Sequence, residues 1–423
     1  MTDPSRRNVQ LYPWYEFLFG SFFWVPIFFL FFIKNLDLEQ VLLLESIYFF
    51  SVVSLEIPSG YFSDALGRRP TLLIASGCLA GSYTLFLLAD SFYLFASAEF
   101  LLAAGIAFHS GTNTSFLYDS LVDLNRQDEY GEIEAAVGFR VFLAGALGAV
   151  LGGLVALSDS RLAYGLSLVT TLPMIGIAWI YCEPRSTRRR KPDPGDMRRQ
   201  IARCLGLIRQ PVLRWLLAFG VVMILLNHVP WEFFQPYLHL LGADFEFSAD
   251  KTPLVSGVYT AMTMILAAMF AKYSMRIRNR VGLLPVLFFA LLLQTLLISL
   301  MGFLLSATIA MAVLFRSVPR AIMTAPINAA MAPRIPTEAR ATWFSIQSML
   351  GRFAFAAWLS ILSSQTGGGE TASWTELSSL LQKSSLVAVI GGTLLLLSIP
   401  RELRSRSSPS QKTSSGPELS TRE

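Results

Sequence analysis

Ionisable side chains lie inside several long apolar stretches of this 423-residue sequence. The acidic ones are Glu16, Glu45, Glu99 and Glu232, and the basic ones are Arg140, Arg316, Arg320 and Arg352. At the centre of a helix in hydrocarbon, each such charge costs roughly 2.5–3.5 kcal/mol. They therefore predict a polar path through a membrane-embedded body, lined by acids that carry protons and arginines that pair with acids or with an anion.

The seventh apolar stretch has the clearest polar stripe. His228, Glu232 and Gln235 recur at i, i+4 and i+7, so they share one face of a helix. A carboxylate beside an imidazole can exchange protons near neutral pH, and a purely structural hydrogen-bonded stripe is about equally well supported. Pro230 and Pro236 predict a break or kink in this helix.

Two further groups extend the candidate site. Arg316 and Arg320 lie one helical turn apart, which suits either pairing with Glu99 and Glu232 across a cavity or clamping a carboxylate or phosphate. His109 and Asn113 form a second polar pair, for which a structural role is favoured over a proton-coupling one.

The composition indicates what positions these residues. Hydrophobic residues make up 53% of the chain and charged residues 15%, against about 25% charged in a soluble domain. A transmembrane helix needs about 20 apolar residues. Twelve such runs predict an all-α membrane protein: 12–34, 40–62, 70–89, 92–117, 136–157, 161–182, 211–239, 253–275, 282–303, 306–331, 340–364 and 377–400.

The basic residues predict the orientation. With the N-terminus on the inside, the inner connections hold 26 Lys and Arg residues and the outer connections hold 4. Basic connections stay in the cytoplasm, so both termini are expected there. This asymmetry accounts for the net charge of +5 without a nucleic-acid partner.

The connection between the sixth and seventh runs divides the chain. We expect one six-helix bundle at 1–182, a basic cytoplasmic linker at 183–210, a second six-helix bundle at 211–400 and a disordered cytoplasmic tail at 401–423. Within the linker, Ile201, Leu205 and Ile208 share one face, which predicts an amphipathic helix lying on the membrane surface.

The most specific motif follows the second run. It reads Gly60-Tyr-Phe-Ser-Asp64-Ala-Leu-Gly67-Arg68-Arg69. Gly60 permits close helix packing, Gly67 permits a sharp turn, and Asp64 suits the positive end of a helix. The spacing matches the G-x-x-x-D-x-x-G-R-R signature of the major facilitator superfamily, which the whole chain resembles, most closely its bacterial drug-efflux-type members.

This resemblance implies a twelve-helix fold of two pseudo-symmetric bundles in the cell (inner or plasma) membrane, acting as a monomer. It also implies that Gly60, Asp64, Gly67, Arg68 and Arg69 form a latch between the two bundles.

The fifth run contains Gly145, Gly148, Gly152 and Gly153, and partly resembles the family's antiporter stretch. A small-residue packing face explains these glycines equally well. Leu101 replaces an arginine often found in the family, so its proton-coupling role does not transfer.

Two other stretches look related to each other by duplication. The first contains Tyr118, Asp119 and Ser120, followed by Arg126 and Arg140, and the second contains Arg340, Thr342, Ser345, Gly351 and Arg352. We interpret both as packing and charge pairs at an inner gate rather than as substrate contacts.

These observations predict a secondary active transporter that works by alternating access, most simply a proton-coupled antiporter exporting a small amphiphilic or drug-like solute. Glu232, Glu99 and Glu16 are the candidate proton carriers, in that order. One alternative is a transporter of an anionic metabolite bound by Arg316 and Arg320, and another is a non-transporting receptor or scaffold. No Walker A motif, catalytic triad, metal-ligand cluster or cofactor motif stands in the sequence, so no enzyme activity, metal or cofactor is expected.

Overall fold

A computed structural model describes residues 3–36, 38–185, 196–242, 252–363 and 373–405. Within these ranges the regular structure is helical throughout, because a backbone in hydrocarbon must satisfy its own hydrogen bonds. Ten helices are long and apolar enough to span a membrane individually. The two remaining spans are the first, which is interrupted, and the second, which carries several acidic residues.

The helices fall into two sets of six spans joined by one amphipathic helix. The N-terminal half contains α1 (Pro4–Phe19), α2 (Phe28–Asn35), α3 (Leu38–Leu66), α4 (Arg68–Leu88), α5 (Phe92–His109), α6 (Thr112–Asp123), α7 (Tyr130–Val155) and α8 (Arg161–Ile180). The joining helix is α9 (Asp196–Leu207). The C-terminal half contains α10 (Pro211–Gly242), α11 (Thr252–Val281), α12 (Leu283–Phe303), α13 (Ala307–Ala312), α14 (Val318–Met331), α15 (Arg340–Ser363) and α16 (Trp374–Leu397), followed by α17 (Arg401–Ser405).

Three spans are not continuous helices. The first is interrupted between α1 and α2, the fourth at Gly111, where φ is 72°, and the tenth at a 3₁₀ turn over Val313–Ser317. The seventh span does not break at its prolines, because α10 continues through Pro230 and Pro236. Interrupted spans leave helix ends inside the membrane body, as binding sites in many transporters require.

The first span also begins earlier than its apolar run. Asp3 caps α1 by accepting a hydrogen bond from the amide of Ser5, and Asn8 donates to the carbonyl of Cys182 at 2.7 Å. The polar first turns are therefore satisfied by protein contacts. Hydropathy places the start of the span at residue 12 because it does not register these contacts.

Two helix pairs join the halves. In the first, α3 packs on α15 through contacts between residues 56–64 and 341–352. In the second, α7 packs on α11 along its length, from Gly131 beside Met275 to Gly153 beside Pro253. We call the side of the membrane that contains α9, the start of α1 and α17 the linker side.

The glycine stretch of α7 explains two close approaches. A Cβ atom at Gly152 would overlap the carbonyl oxygen of Phe23, which lies in the interruption of the first span. A Cβ atom at Gly153 would lie 2.6 Å from the carbonyl oxygen of Pro253. Both positions therefore exclude a side chain, and the stretch is a packing face for irregular backbone and for α11.

The amphipathic helix takes a different position from the expected one. Gln200 and Cys204 are buried, and α9 contacts α3 and α15, whereas Leu205 is exposed. The buried face of α9 is thus the one that meets the two halves. The reason is that the 3₁₀ turn Thr337–Ala339, just before α15, offers the carbonyl oxygens of Glu338 and Ala339 to Gln200 and Cys204, which a membrane surface does not.

Candidate functional site

Asp64 joins the two halves on the linker side. Its carboxylate accepts hydrogen bonds from the amides of Ala341 at 3.2 Å and Thr342 at 2.9 Å, and from the hydroxyl of Thr342 at 2.5 Å. These groups belong to the first turn of α15, whose unsatisfied amides and dipole favour an anion. An acidic residue of one half therefore caps a helix of the other half.

Arg68 extends this contact into a buried ion network. Its side chain is fully buried, pairs with Asp64, and donates from Nε to Asp119 at 3.1 Å and from Nη2 to the carbonyl of Thr337 at 2.8 Å. Asp119 also pairs with Arg340 of the C-terminal half. Two carboxylates and two guanidinium groups thus balance each other, and we call Asp64, Arg68, Asp119 and Arg340 the latch.

The rest of the motif supports the latch. At Gly60 a Cβ atom would lie 2.7 Å from the hydroxyl of Ser345, and at Gly67 φ is 117°. The amides of Arg68 and Arg69 donate to the carboxylate of Glu183 at 2.7 Å and 2.9 Å. Glu183 was not singled out in the sequence, because it lies at the end of the sixth span with no local pattern to mark it.

A second polar cluster lies at the break in the fourth span. Glu16 of α1 contacts Nε2 of His109 at 2.9 Å and accepts a hydrogen bond from Asn113 at 3.3 Å. Glu16 and His109 are buried, and the imidazole stacks on the ring of Phe19 with centroids 3.5 Å apart. The break at Gly111 brings the last residue of α5 and the first turn of α6 to the same carboxylate.

A polar contact between the halves lies close to this cluster. Asn328 of α14 donates to the carboxylate of Glu134 of α7 at 2.6 Å. Glu134 is also close enough to Glu16 for the two carboxylates to interact electrostatically. Glu134 was not among the predicted site residues, because it precedes the fifth apolar run by two residues, although an acid so close to an apolar run is itself a signal.

Arg320, Thr324 and Asn328 share one face of α14, and this face points toward the N-terminal half, as the Asn328–Glu134 contact requires. Arg320 and Thr324 are exposed, although their neighbours on α14 are buried. The Arg320 side chain forms no hydrogen bond or ion pair with any described residue. It therefore lies in an open cleft between the halves.

Arg352 carries the second positive charge of this cleft. It lies near Arg320, and its Nη1 atom is 3.5 Å from the carboxylate of Glu56, which also accepts from Ser348 at 2.8 Å. The polar residues that make these contacts, from one half to the other, form what we call the polar belt: Glu16, Glu56, His109, Asn113, Glu134, Arg320, Thr324, Asn328, Ser348 and Arg352.

Pairing of Arg316 with an acid was one expectation, and no acid in the described ranges pairs with it. Arg316 is buried, and its guanidinium carbon lies 4.7 Å from the ring centroid of Phe234, 5.1 Å from that of Tyr259 and 5.7 Å from that of Trp231. Aromatic faces attract a cation, so they replace the carboxylate. Glu99 is buried on α5 and forms no ion pair with a described residue.

The two described side chains of the stripe on α10, His228 and Glu232, form no hydrogen bond with each other. Nδ1 of His228 donates to the carbonyl of Ile224 at 2.7 Å, and its ring packs against Phe355. Glu232 is exposed on the next turn, near Glu45 of α3. The side chain of Gln235 lies outside the described part of the structure.

Arg140 lies apart from both clusters. It is exposed on the same face of α7 as Leu147, Leu151 and Leu154, and no described residue pairs with it. Arg126 likewise forms an exposed pair, with Glu129. A long arginine side chain on such a face can reach the membrane interface.

The comparisons identify the family that this arrangement belongs to. The family model of the major facilitator superfamily matches residues 15–359. The chain belongs to the major facilitator superfamily. It is therefore a membrane transporter of a small solute and not an enzyme, and its two halves form the twelve-helix fold of that superfamily.

Solved structures of other members share the fold. A human organic anion transporter, MFSD10 (TETRAN), is 17% identical with a TM-score of 0.66, covering 93% of this chain and 100% of that one. The fucose transporter FucP in its outward conformation is 14% identical with a TM-score of 0.70, covering 94% and 100%. The nucleoside transporter NupG is 10% identical with a TM-score of 0.67, covering 94% and 100%. No functionally curated protein matched the sequence.

Proposed function

We propose that this superfamily member carries a small organic anion by alternating access, coupled to protons. One observation supports this proposal most directly: the unpaired, exposed guanidinium of Arg320 in the cleft between the halves. An arginine costs about 2.5–3.5 kcal/mol in mid-membrane, and an anionic ligand offsets that cost through charge-assisted hydrogen bonds. Arg320 thus takes the role first considered for both Arg316 and Arg320.

The local charge balance favours an anion. Arg320 and Arg352 lie close together, and Glu56 is the carboxylate that contacts Arg352. This part of the polar belt therefore holds two positive charges against one negative charge. A carboxylate or phosphate group on the solute restores neutrality, and the fork of Arg320 suits its two oxygen atoms.

We assign the proton to Glu16 and His109. They share a hydrogen bond of 2.9 Å beside the break in the fourth span, and Asn113 fixes the second carboxylate oxygen. Protonation of this pair changes the charge of the polar belt in the N-terminal half, whereas Arg320 belongs to the C-terminal half. Proton uptake therefore alters the attraction for an anion without a direct contact between the two groups.

The latch supports the access cycle. Its buried ions hold the halves together on the linker side, while Trp231 and Glu232 toward the other end of α10 are exposed. The 26 basic residues in the connections of the linker side support a cytoplasmic location for it. We place the protein in this orientation, as a monomer in the inner or plasma membrane, so that the cleft opens outward.

Transport in proteoliposomes tests the substrate class. The purified chain is given an imposed pH gradient and a panel of radiolabelled organic anions with matched neutral amides. We expect uptake of anions, and a loss of about 10- to 100-fold in Arg320→Gln, because a hydrogen bond to a charged group is worth about 1.5–3 kcal/mol.

Arg276→Gln is the matched control, because it removes the same charge from an exposed position at the linker-side end of α11. Equal flux of anions and amides, or undiminished anion flux in Arg320→Gln, would contradict the proposal. Loss of pH dependence in Glu16→Gln, with anion exchange retained, would separate the proton carrier from the solute site.

Export of an amphiphilic, drug-like solute is the second candidate function. It is favoured by the exposed ring of Trp231 beside Glu232 and by the resemblance of the sequence as a whole to drug-efflux-type members. Here a cationic dye would be the transported species, and Glu232→Gln would abolish its flux while Arg320→Gln would not. The same proteoliposomes, loaded with dyes, distinguish the two candidates.

A further inference from the structure

A second ionic contact joins the halves, farther from the linker side than the latch. Glu56 lies about two helical turns before Asp64 on α3. Its partners, Ser348 and Arg352, belong to the middle of α15. The Glu56 side chain is fully buried, and Arg352 lies near Arg320 of the cleft. The contact is therefore placed between the latch and the proposed solute site.

Arg352 is held loosely in this contact. Its Nη1 atom is 3.5 Å from the carboxylate of Glu56, which is longer than the usual hydrogen-bond distance of about 2.7–3.2 Å. No hydrogen bond joins its guanidinium to any residue in the described ranges, and 21% of the side chain is exposed. Arg352 and its neighbour Arg320 therefore both have N–H donors available to an anion.

Glu56 depends on the other half for its partners. Ser348 donates to Oε1 at 2.8 Å, and Arg352 approaches the same oxygen. Oε2 is buried without a hydrogen bond to a described residue, although the hydroxyl of Ser110 is near. If Arg352 leaves, the buried carboxylate keeps one neutral donor and loses its charge partner. A buried charge without a partner is strongly unfavourable.

We propose that a bound anion draws Arg352 away from Glu56 and thereby loosens the contact between α3 and α15. An anionic group between Arg320 and Arg352 receives direct charge-assisted hydrogen bonds, which the looser contact with Glu56 does not provide. The carboxylate of Glu56 then regains partners only from water, when α3 and α15 part. Glu56 is thus a positioning residue that links occupation of the cleft to opening of the linker side, and this inference rests on the proposed anion transport.

Binding of benzoate to the full chain in nanodiscs tests the exchange, with benzamide as the neutral match. In Glu56→Gln the side-chain amide can still accept a hydrogen bond from Ser348, but it no longer attracts Arg352. We expect benzoate to bind about 10-fold more tightly to this variant than to the unaltered protein, because a hydrogen bond to a charged group is then gained without a competitor. A purely structural role of Glu56 predicts unchanged or weaker binding.

A double-mutant cycle shows whether the gain passes through Arg352. Glu56→Gln/Arg352→Gln should bind benzoate no more tightly than Arg352→Gln, because neither protein has an arginine to release. The double variant also leaves no buried carboxylate without its charge partner. Glu132→Gln is the matched control, because it removes an exposed carboxylate near the start of α7, and its benzoate affinity should equal that of the unaltered protein.

The binding results separate this inference from the proposed function. If the unaltered protein prefers benzoate to benzamide, but Glu56→Gln binds benzoate no more tightly, the exchange is wrong and the anion site stands. An equal gain in the Arg352→Gln background also overturns the exchange. If the unaltered protein has no preference for benzoate over benzamide, the anion site and the exchange both fail.

The link to opening is measured with spin labels on the exposed residues 125–129 and on the exposed end of α11. Benzoate should increase the fraction of the unaltered protein with an open linker side. In Glu56→Gln this fraction should already be raised before benzoate is added. An open fraction that benzoate does not change in the unaltered protein would refute the link between binding and opening.

Discussion

The two helix pairs that join the halves differ in chemistry and in extent. The α3–α15 pair is polar, because Asp64 caps the first turn of α15 and Glu56 contacts Arg352, and the other latch ions, Arg68, Asp119 and Arg340, lie beside the Asp64 end of this pair. The α7–α11 pair is made of glycine, alanine and methionine contacts that run along both helices.

This difference indicates which pair separates during transport. Ions that lose their partners can be solvated when the linker side opens to water, so the α3–α15 contact is reversible. Close backbone packing has no substitute partner in water, and its separation would leave a gap. We therefore expect α7 and α11 to stay together as the pivot while α3 and α15 part.

Removal of the shared acid of the latch should have the largest effect. In Asp119→Asn, Arg68 and Arg340 stay buried with one carboxylate fewer, and breaking a buried ion pair costs about 3–5 kcal/mol. We expect the equilibrium to shift away from the closed linker side and transport to fall at least about 100-fold. Distances between spin labels on the exposed residues 125–129, which follow α6, and on the exposed end of α11 measure the opening.

The control for this variant is Glu129→Gln, which removes a carboxylate from the exposed pair with Arg126. Exposed pairs contribute little, so its label distances and transport should match those of the unaltered protein. A closed linker side in Asp119→Asn would mean that the latch ions do not hold the halves together.

Overpacking of the pivot should have an intermediate effect. In Gly257→Ala the added Cβ atom overlaps the carbonyl oxygen of Ala149. Overpacking costs about 1–3 kcal/mol, and we expect a lower unfolding temperature in detergent together with slower transport.

Gly77→Ala is the matched control for the pivot, because a Cβ atom there meets no atom within 4 Å. Its unfolding temperature should not fall. If Gly257→Ala is as stable as Gly77→Ala, α7 and α11 are not held at the distance on which the pivot depends.

Release of α9 should have the smallest effect. Gln200 donates to Asp64 at 3.3 Å, and Gln200→Ala loses a hydrogen-bonding group worth about 0.5–1.5 kcal/mol. Burial raises the pKa of the Cys204 thiol from 9.0 to about 12. A docked α9 therefore keeps Cys204 protonated at pH 8, and partial release exposes a thiol with a more ordinary pKa.

Alkylation at pH 8 of a Cys78→Ser/Cys182→Ser background measures this release. Because the thiolate is the reactive form, labelling of Cys204 should be faster with Gln200→Ala than without it, and the rate of the docked form should rise steeply between pH 8 and pH 11. Equal rates in the two proteins would show that Gln200 does not hold α9 on the latch.

Only part of the candidate site could be predicted from the sequence. The latch motif stands in one continuous stretch, so Asp64 and Arg68 could be named at once. Asp119, the partner of Arg68, lies 51 residues after it, and Arg340, the second partner of Asp119, lies a further 221 residues along the chain. These two partners could only be suggested through resemblance. Arg316 and Arg320, one turn apart in sequence, were expected to act together, yet the 3₁₀ turn at Val313–Ser317 gives Arg316 an aromatic environment and leaves Arg320 in the cleft.

The sequence by itself determined the membrane class, the number of spans and the latch motif, because hydropathy and motif spacing are properties of neighbouring residues. Only the tertiary structure decided that α9 docks on the latch, that the first, fourth and tenth spans are interrupted, and which buried charges meet. Those outcomes depend on the packing of helices that are far apart in the chain. On such helices, neighbouring positions point about 100° apart, so a shift of one residue gives a side chain a different partner.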